Sequence, residues 1–144
     1  MASLPRVQKV VAHILRSDPR LAGVEVTTWV PDIDYRDFPM INIRRIGGVR
    51  NPKAPKLHVK PVIEMSAYTD FGDGSEGLIT CEELYETALD VLYDAVGDQI
   101  TTPAGYLTSI FETMGATQFS SLYSDSWRVQ GLIRLGVRRP RTTS

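Results

Sequence analysis

Residues 61–127 carry twelve Asp and Glu and neither a Lys nor an Arg. Residues 1–60 hold eleven Lys and Arg against five acids, and residues 128–144 hold five Arg and no acid. Glu82, Glu83, Glu86, Asp90 and Asp94 have no cation at i+3 or i+4, so any base that meets them comes from the two ends of the chain or from another molecule. The formal net charge of -1 hides this sorting. A chain of 144 residues can bury roughly 70% of its unfolded surface, which is enough for one domain with its own core. A single Cys cannot close an internal bridge. Residues 1–16 lack the apolar run of a signal peptide, and no window approaches the ~18 apolar residues of a membrane span. A soluble, intracellular domain without a membrane partner is expected.

Local patterns predict the elements. In residues 4–16, Val7, Val10, Val11, Ile14 and Leu15 recur at helical spacing, with Ser3 as cap, Pro5 in the first turn and Asp18-Pro19 as the stop. Residues 24–30 alternate Val24, Val26, Thr28 and Val30 with polar or bulky neighbours, the period of a half-buried strand. Residues 38–46 read as a second strand closed by Gly47-Gly48. Residues 57–68 read as a third, pairing with the second in a hairpin. An acidic, glycine-rich loop is expected over 70–77. Thr80-Cys81-Glu82-Glu83 has the form of a capping box opening a helix that runs to Val96, with Gly97 as its C-cap. Strands are expected over 106–114 and 127–137. The resulting order, α-β-β-β-α-β-β, is an α+β fold with a mainly antiparallel sheet and two helices. Residues 1–138 form the single domain, with a long basic loop at 47–56, and residues 139–144 a flexible C-terminal tail.

Chemical motifs are sparse. His13, His58 and Cys81 sit in no arrangement of nucleophile, base and orienting group. Cys81 at a helix start has two acidic neighbours that oppose a thiolate, and it reads as a small packing residue. Asp70, Asp73 and Glu76 lack the acid spacing of a calcium loop, as do Asp32, Asp34 and Asp37; both groups read as solvated loops. No phosphate-binding glycine motif is present. Arg44, Arg45, Arg50, Lys53, Lys56 and Lys60 are close enough in sequence to approach phosphates, although strand alternation sends Arg44 and Arg45 to opposite faces. No cofactor, metal or catalytic residue is assigned.

The second helix is more informative. At about 100° per residue, Leu84, Ala88, Val91, Leu92 and Ala95 form a core stripe, and Tyr85, Leu89, Tyr93 and Val96 widen it to about half the circumference. Either a broad sheet or a neighbouring subunit would bury the surplus. Glu83, Glu86, Asp90 and Asp94 share the remaining side with no internal cation. They are expected to meet some of Arg44, Arg45, Arg128 and Arg134, from the same subunit or the next.

The element order, together with Pro39-Met40-Ile41-Asn42-Ile43-Arg44-Arg45-Ile46-Gly47-Gly48, the basic loop, the acidic helix and a closing strand ending at Arg138, resembles the tail terminator (tail completion) proteins of long-tailed bacteriophages. The resemblance spans nearly the whole chain. It implies a non-catalytic virion subunit, assembled in the bacterial cytoplasm, that forms a hexameric ring on the tail tube protein. Such a ring stops tube growth, presents a surface to a head-tail connector protein and leaves a channel for DNA without sequence-specific binding. The loop bearing Arg50, Lys53 and Lys56 would face a neighbour, the tube or the channel. The alternatives are another connector component, such as a head-closure or adaptor protein, or a small metal- or nucleic-acid-binding domain.

Overall fold

The apolar stripe of the first helix becomes α1, Val7–Ser17, which buries Val7, Val10, Val11, Ala12, Ile14 and Leu15. The computed structural model describes residues 5–28, 38–50, 52–53, 55–56, 58–70, 74–119 and 126–140. α1 starts later than expected: Pro5 precedes it, and Arg6 takes the N-cap position without a side-chain cap. The Arg6 carbonyl accepts from the amides of Lys9 and Val10 at 3.0 and 3.2 Å. Ser3, the expected cap, lies outside the described residues. At the other end Asp18-Pro19 stops the helix, as the residue before Pro avoids the helical region. The extended Asp18 then accepts from the Arg20 amide at 2.9 Å and caps a short 3-10 turn, Pro19–Leu21.

The strands are β1 (Glu25–Thr27), β2 (Met40–Arg50), β3 (His58–Asp70), β4 (Thr101–Thr102), β5 (Gly105–Phe119) and β6 (Ser126–Arg138). They form one sheet in the order β1-β2-β3-β6-β5-β4, with β1 parallel to β2 and every other pair antiparallel. The α+β class and the element order read from the sequence are those observed, with the two-residue β4 added. β2 and β3 make the expected hairpin.

Gly47-Gly48 does not end β2. The strand passes through both glycines to Arg50, with a bulge between Arg45 and Gly47. Gly48 has φ +117°, and a Cβ there would overlap the backbone of Pro61 on β3. The residue is required for close approach of two strands, a need invisible until the partner strand is known.

The second helix, α2, runs over Gly74–Gly97. It therefore begins two turns before Thr80, and the capping box lies inside it. Gly74 and Gly77 each cost a helix about 1 kcal/mol relative to Ala, so local propensity does not explain the early start. Tertiary docking does: Gly77 is buried, its carbonyl accepts from the Thr69 hydroxyl on β3, and Leu78 packs against the core.

Both helices cover one face of the sheet. Their apolar sides meet Ile41 and Ile43 of β2, Val59, Ile63, Met65 and Ala67 of β3, Leu107 of β5 and alternate residues of β6. Tyr85 lies across Gly131 of β6, where a Cβ would overlap its hydroxyl oxygen. That hydroxyl donates to Glu112 Oε2 at 3.3 Å.

Candidate assembly surfaces

A helix laid on a sheet turns one side to the core and leaves the other to solvent. The sheet takes most of the wide apolar arc of α2. Leu84, Tyr85, Ala88, Val91, Leu92 and Ala95 are buried, and Leu89 and Val96 are half-buried. Tyr93 remains 44% exposed, and Ile79, brought into the helix by its early start, 55%. On the same outer side Glu82, Glu83, Glu86, Asp90 and Asp94 are all exposed.

Asp94 alone of these five has a cation within the described residues. Arg20 donates to Asp94 Oδ2 at 2.8 Å and, through its other nitrogens, to Asp18 at 3.0 Å. The hydrogen bonds from Arg20 hold the Asp18 carboxyl below the usual carboxylate range, and both acids hold the guanidinium charged. Sequence reasoning missed Arg20, since nothing local relates it to a residue 74 positions away. Among the described residues Glu82, Glu83, Glu86 and Asp90 make no ion pair.

The second face of the sheet carries neither helix. Cross-strand register arranges its side chains in rows. Thr27, Asn42, Ser66 and Gln130 form one row across four strands. Thr27 donates to Asn42 Oδ1 at 3.1 Å and Ser66 to Gln130 Oε1 at 3.0 Å, so neighbours in this largely buried polar row bond one another. The next row away from this end is Arg44, Glu64, Leu132 and Met114, and the one after it Gly47, Val62, Arg134 and Phe111. Val49 and Lys60 follow.

The character of the face changes along these rows. Met40, Asn42, Ser66 and Tyr68 are buried, whereas Met114 is 42%, Val49 61% and Phe111 65% exposed. The bare half therefore mixes apolar side chains with Arg44, Lys60 and Arg134. Glu64, the one acid among the described residues of this half, accepts from Arg44 at 3.1 Å.

The residues expected to pair across a contact are thus distributed as follows. Arg44 and Arg134 share the bare half-face, in adjacent rows. Arg128 shares the face but stands at its buried end, opposite Tyr68. Arg45 points to the other face, opposite Ile63, and donates to the Gly47 carbonyl at 3.3 Å. Glu83, Glu86 and Asp90 project from the far side of the helix layer, so within one subunit they do not meet the sheet cations. Arg50, Lys53 and Lys56 are exposed around the turn of the β2–β3 hairpin.

Cys81 is buried and donates to the carbonyls of Ala67 and Trp127 at 3.1 and 3.6 Å, and burial pushes its thiol up. Asp70 ends β3 and Glu76 lies in the first turn of α2; Asp73, like Asp32, Asp34 and Asp37, is outside the described residues. Among the described residues no group of three His, Cys, Asp or Glu is placed to hold a metal, and no helix is long and apolar enough to cross a membrane. An open cleft of 390 Å³ beside the Arg20–Asp94 pair is lined by His13, Asp98 and Ile100 among others. The extended features are two surfaces of opposite charge on opposite sides of a two-layer molecule.

The family model described as phage tail termination protein matches residues 3–144. The chain is 76% identical over 143 residues to the Gene 22 protein of Mycobacterium phage L5, covering 99% of each chain. It is 74% identical over 144 residues to the Gene 22 protein of Mycobacterium phage D29, covering 100% of both. Among solved structures, a chain from the virion of a native gene transfer agent particle has the same fold, with a TM-score of 0.58 at 20% identity. That alignment covers 92% of this chain and 94% of the other.

Proposed function

The chain belongs to the phage tail termination protein family, and on that premise we propose that its copies assemble into a ring, six in number, on the end of the tail tube. The ring stops tube polymerisation, offers its exposed side to the head-tail connector and leaves a central passage for DNA. The role is structural, with no catalytic step, and it is performed in the virion after assembly in the host cytoplasm.

The observation that carries this reading is the family match over residues 3–144. The physical character of the subunit supports it. Two layers with oppositely charged outer sides suit head-to-tail contacts, and these close into a ring when each adds a fixed rotation.

The test is the tail-length distribution in a phage whose copy of this gene is inactivated. The expected result is tubes of unregulated length that join no heads. Tails of normal length that fail to join heads would instead assign the chain to another step of head-tail connection.

A further inference from the structure

We propose that the bare half of the sheet's second face receives the outer side of α2 from a second copy of the chain. The inference rests on the ring reading and names the surfaces that make the contact.

The two surfaces match in pattern. On α2, Ile79, Glu83, Glu86, Asp90 and Tyr93 follow at intervals of three and four residues, which makes one stripe about 21 Å long. Its ends are apolar and exposed, and its middle is acidic and without a paired cation among the described residues. On the sheet, Val49 stands at one corner and Phe111 and Met114 at the other, all three apolar and exposed. With strands about 4.8 Å apart and residues about 3.3 Å apart along each, these corners are separated by about 16–20 Å. Lys60 and Arg134 lie between them in register. An apolar–acidic–apolar stripe thus fits an apolar–basic–apolar one of similar length.

The geometry also fixes the kind of contact. α2 and the bare half-face are on opposite sides of the subunit, so each copy offers one surface to each of two neighbours. A contact of this kind is heterologous and propagates, whereas a two-fold dimer through either surface would oppose like charges.

The test is a charge exchange in the full chain. One variant carries Lys60→Glu and Arg134→Glu, the other Glu86→Lys and Asp90→Lys, and oligomer mass is measured by sedimentation at low and high salt. The wild type is expected to assemble, less well as salt rises, and each variant alone to remain monomeric. An equimolar mixture is expected to assemble again, because alternating copies restore every contact. Recovery in the mixture also shows that both variants are folded. Phe111→Ser, which leaves charge untouched, is expected to weaken association about tenfold or more.

Variants that assemble as the wild type does would overturn these surfaces and leave the ring reading intact. A wild type that stays monomeric overturns them whatever the tail lengths show. Unchanged assembly with lost binding of a short DNA duplex in the Lys60/Arg134 variant would assign the face to nucleic acid and overturn the inference.

Discussion

Replacing Gly131 by Ala tests the packing of α2 on the sheet. An added Cβ would overlap the Tyr85 hydroxyl, approach Tyr85 Cζ to 2.8 Å and stand 3.2 Å from the Met114 carbonyl oxygen. Tyr85 is only 1% exposed, so its ring cannot swing into solvent and must push into a packed core. Overpacking of this kind costs about 1–3 kcal/mol. The shift also breaks the Tyr85–Glu112 hydrogen bond, worth about 1 kcal/mol. The combined loss is about 2–4 kcal/mol. With about 2.1 cal/mol/K of unfolding entropy per residue and 144 residues, 1 kcal/mol corresponds to about 3 °C, so Tm should fall by about 7–13 °C. Tyr85→Phe alone should cost about 1 kcal/mol, for the hydrogen bond only. It also removes the atom of worst overlap, so the double variant should be more stable than the sum of the singles by about 1 kcal/mol or more. Thermal and urea denaturation of the four proteins measures all of this. A loss below about 0.5 kcal/mol for Gly131→Ala, or strict additivity, would refute the packing argument.

Gly48→Ala should open the β2–β3 hairpin, because the overlap is with Pro61 backbone and no rotamer relieves it. Amide exchange at Val49 and Arg50 should speed up by about tenfold or more, whereas Gly47→Ala, with nothing within 4 Å of its Cβ, should leave it unchanged. Burial, then the neighbouring Glu112 charge, raises the Tyr85 hydroxyl above its ordinary value of 10.0. Above that pH the unfolded chain binds fewer protons at this site than the folded one, so stability falls as pH rises. Urea midpoints between about pH 9 and 11 should decline less for Tyr85→Phe than for the wild type.

Elements whose cause is local were legible in the sequence, and those whose cause lies across the fold were not. The alternation in β3 and β6 and the apolar stripe of α1 follow from each segment's own side chains, and they appear where expected. Thr80 and Glu83 have the form of a helix start, yet the helix begins at Gly74 because Thr69 and the core hold Gly77 in place. Gly47-Gly48 resembles a turn, yet Gly48 serves the approach of Pro61. The candidate site divides in the same way. The acidic side of α2 was readable from helical spacing, and the separation of Arg44 from Arg45 from strand alternation. That Arg44 shares a face with Lys60, Arg134 and Phe111 depends on which strands neighbour one another, which no local pattern encodes. Arg20 reaches Asp94 through the packing of the turn after α1, for which the sequence carries no signal.

The charge sorting acquires a physical meaning once these positions are known. Glu82–Glu86, Glu83–Glu86, Glu86–Asp90 and Asp90–Asp94 are like-charged neighbours on one helix, and at a few tenths of a kcal/mol each they cost the free subunit about 1–2 kcal/mol. The Arg20–Asp94 pair offsets little of this, since its side chains are 44% and 59% exposed and solvent screens their attraction. Phe111 and Met114, on the face that carries Lys60 and Arg134, are 65% and 42% exposed, so they bury only part of their apolar surface in the isolated fold. The proposed heterologous contact gives both surfaces a partner. The acids lie within the cation-free middle of the sequence, while Arg44, Lys60 and Arg134 come from the basic segments flanking it. A contact of helix with helix would set acid on acid, and one of sheet with sheet would set base on base. Of these three pairings of described surfaces, the proposed one, helix side of one copy to sheet side of the next, is the attractive one. Under the proposed contact, the order of charges along the chain sets which side of one copy meets which side of the next.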